Sequence, residues 1–209
     1  MGSGDVGWVG LAVSMAEQLD AEGYLVVGLN VRQYLSTFAD GKSHLTETDV
    51  PRDYGLIANR LREQHLFSAP VILSGVSEGA ALSALAASDP SNHAWVDGVI
   101  AMGLPEVAEL AWHWSDVPAW IFKKDANEPS FHAHDIIGLV SPVPIALIQS
   151  TKDEYVPESD YRAMERVALE PKRQVLIPAS NHRFTDRLSD LRRAYAESLN
   201  WIGATSGSR

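Results

Sequence analysis

The chain has no cysteine, which excludes disulfides and thiolate metal centres and leaves the redox compartment open. It is also short of basic residues, with 17 lysines and arginines against 27 aspartates and glutamates and a formal net charge of −10. No basic cluster reverses that sign locally, so phosphate backbones and anionic lipid surfaces are repelled and no nucleic-acid partner is expected. Long apolar runs are missing too. None approaches the roughly 18 residues that cross a bilayer, so no membrane span is expected. What remains is the composition of an ordinary globular protein, 45% hydrophobic and 21% charged over 209 residues. That length suits one sizeable core and is short for two, so a single domain over residues 1–202 is expected, with 203–209 as a flexible tail.

A dinucleotide site is lacking even though its signature is present. Gly2-Ser3-Gly4-Asp5-Val6-Gly7 reads G-x-G-x-x-G, but the fingerprint needs a preceding strand and an acidic residue about twenty positions on. Only Met1 precedes Gly2, and the apolar stretch Tyr24 to Leu29 ends in Asn30. The glycines therefore call for another explanation, and the reading includes no cofactor.

The rest of the chain alternates strands and helices. Helical spacing over 8–22 stops at Gly23, and 24–29 reads as a strand. A second helix over 51–66 places Leu56, Ile57 and Leu61 at amphipathic spacing after Pro51. Strands are expected at 70–74, 97–102, 144–149 and 173–178, and further helices at 78–88, 133–139, 158–169 and 185–202. Apolar strands separated by helices imply an α/β fold, a mostly parallel sheet with helices on both faces.

Chemistry enters at Gly75-Val76-Ser77-Glu78-Gly79, a G-x-S-x-G between the 70–74 strand and its helix. The glycines let the chain turn sharply enough to hold Ser77 above the sheet, next to the N–H groups of a helix start. A serine hydroxyl needs a histidine base, and the base needs a carboxylate to fix its tautomer. On such a fold the acid precedes the histidine. Asp153 follows the 144–149 strand, and His182 follows the last strand. Three side chains on carboxyl-end loops of one sheet can converge. Asp125 is the reserve acid and Glu154 a lesser one; the other six histidines all precede Asp153. The same order explains the opening glycines. An oxyanion hole takes one N–H from the residue after the nucleophile, Glu78, and one from an upstream loop, where the Asp5 amide is the candidate.

At this point the chain resembles the α/β-hydrolase superfamily over essentially its whole length. Within it, SGDVGW, VVGLNVRQY, GVSEG, STKDEYVP and NHRF are similar to the VirJ/AcvB group of bacterial virulence-associated proteins. The resemblance implies periplasmic serine hydrolases, some acting on aminoacylated phosphatidylglycerol, although no stretch of this chain reads as an export signal. Val6 stands where the group usually has glycine, and Asn30 where it often has aspartate. The function expected is cleavage of a carboxylic ester, of a small molecule or a lipid, by Ser77, His182 and Asp153. The alternative is a non-catalytic binding protein of the same fold, associated with lipid or secretion.

Residues 103–135 fall where this fold commonly carries a cap, and hold Trp112, His113, Trp114, Trp120, Phe131, His132 and His134. His132-x-His134 suits a metal, but no third ligand is evident, so no metal is assigned. Arg183 is a candidate contact for an anionic group. In the superfamily the strand that feeds the oxyanion loop lies inside the sheet, and here only Met1 and Gly2 precede Ser3. An N-terminally shortened chain lacking a strand is therefore expected.

Overall fold

The computed structural model describes residues 1–38, 44–67, 70–111 and 129–206. Its elements in chain order are α1 (Leu11–Ala21), α2 (Val31–Ser36), α3 (Asp49–Glu63), β1 (Ile72–Val76), α4 (Glu78–Ser88), β2 (Gly98–Met102), β3 (Val107–Glu109), β4 (Ser130–His132), α5 (Ala133–Ile136), β5 (Ile145–Ser150), α6 (Glu158–Val167), β6 (Lys172–Ile177) and α7 (Leu188–Ser206). The main sheet runs β1-β2-β5-β6 with every pair parallel. Side chains alternate across it with the period of two that a pleated strand imposes. Val99, Ala101, Ile145 and Leu147 enter a core shared with α2 to α6, whereas Ile100, Met102, Ala146 and Ile148 enter one shared with α1 and α7. Helices on both faces make this the α/β layer architecture that the alternating pattern implied.

Helix α4 is alanine-rich and buried from Gly79 to Ser88, as a helix pressed against a sheet by small side chains must be. Helix α3 differs from expectation. Its buried face carries Val50, Pro51, Tyr54 and Ala58, while Leu56 is 60% exposed. Ile57 and Leu61 instead face a cavity of about 550 Å³, whose other walls include Met1, residues 24–29 and residues 70–74. That cavity also accounts for the 24–29 segment, which among the described residues forms a β-bridge only at Leu29. The cavity separates 24–28 from β1, and among the described residues the bridge partners of the segment lie at its top, where the Met1 ammonium also donates to the Val27 carbonyl at 2.7 Å. There Gly2 bridges both Leu29 and Gly75, the Leu29 N–H donates to the Met1 carbonyl at 2.9 Å, and the Gly2 N–H donates to the Ser74 carbonyl at 2.7 Å.

Four further differences are local. Strand β1 is shifted two residues towards Ser77. Helix α2, capped by Asn30 Oδ1 accepting the Gln33 N–H at 3.2 Å, and the β3–β4 pair were not legible as elements. The last helix continues past 202 to Ser206, whose hydroxyl donates to the Asp97 carbonyl at 2.7 Å. No helix among the described residues is long and apolar enough to cross a membrane.

Candidate active site

Ser77 joins β1 to α4 with φ 53° and ψ −123°, a left-handed backbone that an L-residue holds only under constraint. The constraint comes from contact closer than any side chain permits. A Cβ on Gly75 would lie 2.1 Å from the Gly79 carbonyl, and one on Gly79 would lie 2.3 Å from the Ser3 oxygen. The Ser77 N–H donates to the Met102 carbonyl at 2.9 Å. Because α4 starts at the next residue, the Glu78 amide is a helix-start donor outside the helical ladder.

Asp153 and His182 meet. Asp153 Oδ1 accepts the amides of Tyr155 and Val156 at 2.9 Å each, and Oδ2 lies 2.7 Å from His182 Nδ1. The Asp153 side chain has no exposed surface. A carboxylate held there keeps the imidazole proton on Nδ1 and leaves Nε2 as the basic nitrogen. Nε2 is buried, with no hydrogen-bond partner among the described residues. Burial is the largest influence on the His182 pKa and lowers it, but the hydrogen bond and charge of Asp153, with Glu78 and Glu154, together leave it raised above the ordinary imidazole value.

Two features of this half of the site escape sequence reasoning. Glu154, offered as a lesser acid, accepts the His182 backbone N–H at 2.7 Å through Oε2, so it holds the main chain and not the imidazole. Gly103, at the end of β2 with φ 61°, lies under the ring, and a Cβ there would meet His182 Cε1 at 2.7 Å. The only available signal was a glycine directly after a wholly buried strand.

Ser77 is turned the other way. Its hydroxyl donates to Glu78 Oε2 at 2.7 Å. The opening glycines form a turn in which the Gly7 N–H donates to the Gly4 carbonyl at 3.0 Å. Ser3 Oγ anchors it by accepting the Val31 N–H at 3.1 Å. The turn rests on Ser77, since a Cβ on Gly4 would stand 3.7 Å from Ser77 Cβ. Asp5 on this turn has its carboxyl pushed up to about 6, first by burial and then by the Glu78 charge, with the Val6 amide, His182 and Arg183 pulling it back down. Arg183 itself is exposed.

A carboxyl raised from 3.8 to about 6 favours folding only below its unfolded value and loses that advantage as pH rises through 6. The charged form then opposes folding by on the order of 2–3 kcal/mol. Asp5→Asn is expected to melt roughly 5 °C higher near pH 8, with the gain shrinking towards pH 4, as differential scanning calorimetry at both ends would record.

Asp125, Trp112, His113, Trp114 and Trp120 lie outside the described residues, and Phe131 packs in the core at 2% exposure.

Comparison with known proteins adds a family. Residues 1–180 match the family described as bacterial virulence protein VirJ. The chain belongs to the VirJ family. The matched range holds Ser77, Glu78 and Asp153 and ends two residues before His182. It is 35% identical over 68 residues to uncharacterized protein YfhR of Escherichia coli K12, a match covering 32% of this chain and 24% of that one. Among solved structures it is similar to an α/β serine hydrolase homologue from Coxiella burnetii, at 22% identity and TM-score 0.59 over 90% of this chain and 76% of that one. It is also similar to the esterase domain of a Rhodothermus marinus protein, at 17% identity and TM-score 0.59 over 98% and 84%. At such identities the likeness is one of fold. This VirJ member has the α/β-hydrolase fold.

Proposed function

We propose that this chain is a serine hydrolase that cleaves a carboxylic ester. The observation that carries the reading is His182, gripped at Nδ1 by buried Asp153 with Nε2 left over, on the same sheet rim as a serine at positive φ. In this reading Ser77 Oγ attacks the carbonyl, and His182 Nε2 takes the hydroxyl proton and passes it to the leaving alkoxide. Water then hydrolyses the acyl-serine with the same base. The amides of Glu78 and Asp5 receive the oxyanion, and Asp153 balances the imidazolium. The Ser77 hydroxyl must first rotate about Cα–Cβ, away from Glu78.

The surroundings favour an ester that carries positive charge. The Glu78 carboxylate stands close enough to Asp5 to raise the cost of ionising the Asp5 carboxyl, and the whole chain adds a field of net charge −10. An aminoacyl ester of a phospholipid, with a free ammonium next to its carbonyl, has that chemistry.

A fluorophosphonate probe tests the proposal, because it phosphonylates only a serine activated by a base. The expected result is a single adduct on the peptide containing Ser77. The hydrogen bond from Ser77 to Glu78 favours a second reading, a non-catalytic binding protein of this fold for lipid or a secretion component; an unlabelled, folded chain would turn the reading towards it. Since only the neutral imidazole accepts a proton and its pKa is raised, hydrolysis is expected to climb with pH through a transition centred above about 6.5. A rate that stays flat between about pH 5 and 8 would contradict His182 as the base.

A further inference from the structure

The β3–β4 pair brings together three side chains with no part in the site above. His132 and His134 flank Ala133, whose N–H donates to the Glu106 carbonyl at 2.7 Å, so Glu106 is fixed alongside both imidazoles. His132 Nδ1 lies 3.4 Å from Glu106 Oε1, and His134 Nδ1 hydrogen-bonds the same oxygen. One ligand atom from each residue can be chosen so that all three lie within 4.8 Å of one another. Ligands about 2.0–2.1 Å from a tetrahedral zinc ion stand roughly 3.3 Å apart, so the cluster needs shifts of about an ångström to receive one.

Two other observations point to an ion and not to an ordinary surface ion pair. Glu106 Oε2 is buried and has no hydrogen-bond partner among the described residues, a state that leaves a carboxylate oxygen free for a ligand. His134 presents its other nitrogen, Nε2, to Asp135 Oδ1 at 3.1 Å. A carboxylate on the far nitrogen of an imidazole is the outer arrangement that orients a metal-bound histidine and raises its basicity. The two imidazoles are about half exposed, at 51% and 45% of their side-chain surface, so an ion can enter from solvent.

We propose that Glu106, His132 and His134 form a binding site for a divalent transition-metal ion of the zinc type, with water completing a tetrahedron. Two imidazoles and one carboxylate suit zinc, cobalt(II) or nickel(II) and not the oxygen-seeking magnesium or calcium. The ion would clasp the two strands at the base of the excursion between β2 and β5. That base begins beside the other site, since Gly103, three residues before Glu106, lies under the His182 ring. The proposal is independent of the hydrolase reading.

The test is titration of the chelator-stripped full chain with cobalt(II), followed by displacement with zinc against a chromogenic chelator. The expected result is one ion per chain, a visible ligand-field band of tetrahedral intensity, and a melting temperature that rises with free zinc. His132→Ala and His134→Ala should each abolish the band, and Asp135→Asn should weaken zinc binding by about 10–100-fold while leaving the ligands in place. Both histidines are half exposed, so far-UV circular dichroism should be unchanged in the variants. Absence of saturable one-to-one binding by the unaltered chain overturns the proposal. So does a stoichiometry that survives the loss of both histidines, which would put the ion on the Asp153–His182 pair or elsewhere.

Discussion

Ser77→Ala is expected to remove hydrolysis almost completely, by a factor on the order of a million in kcat, with KM little changed. The alanine keeps the backbone, and the contacts that hold its positive φ belong to Gly75 and Gly79, not to the hydroxyl. What disappears is the attacking oxygen, together with its hydrogen bond to Glu78. A variant that melts like the parent, takes no fluorophosphonate and turns over no ester places the chemistry on this oxygen. Residual turnover within tenfold of the parent would move the nucleophile elsewhere.

Asp153→Asn should cost kcat roughly a thousand- to ten-thousand-fold while keeping the fold. The asparagine oxygen can still accept the Tyr155 and Val156 amides, as Asp153 Oδ1 does. Its NH2 would then donate to His182 Nδ1, forcing the imidazole proton onto Nε2 and removing the base from the position that needs it. The loss should appear in kcat, with the pH transition weakened or displaced. If Asp125→Asn costs more than Asp153→Asn, Asp125 and not Asp153 is the acid.

Much of this was legible in the sequence where a local signal and a global one agree. Helix α4 could be bounded to the residue because G-x-S-x-G marks its start and an alanine run marks a helix lying flat on a sheet. His182 and Asp153 followed from loop order alone, and the structure brings them within 2.7 Å. Other elements were hidden because their cause is not local. The 24–29 stretch has strand chemistry, yet a strand exists only where a neighbour supplies its ladder, and most of that neighbour's place is a cavity. Leu56, Ile57 and Leu61 have helical spacing, but which stripe is buried depends on what faces it. Gly103 and Glu106 left almost no trace, because a glycine matters only for the ring above it and a glutamate only for the two imidazoles across a strand pair.

The contact between Gly79 and the Ser3 carbonyl has a consequence for how such a protein can change. The Gly75–Gly79 turn and the glycine loop are pressed together without any side chain between them, so a side chain added to one must displace the other. A new side chain at Gly75 or Gly79 deforms both at once. On the proposed hydrolase reading, variation that alters selectivity without wrecking the frame would fall on residues carried on it, such as Asp5, Val6 and Glu78. Drift or directed evolution towards a different substrate would change such positions and leave Gly75 and Gly79 beneath them untouched.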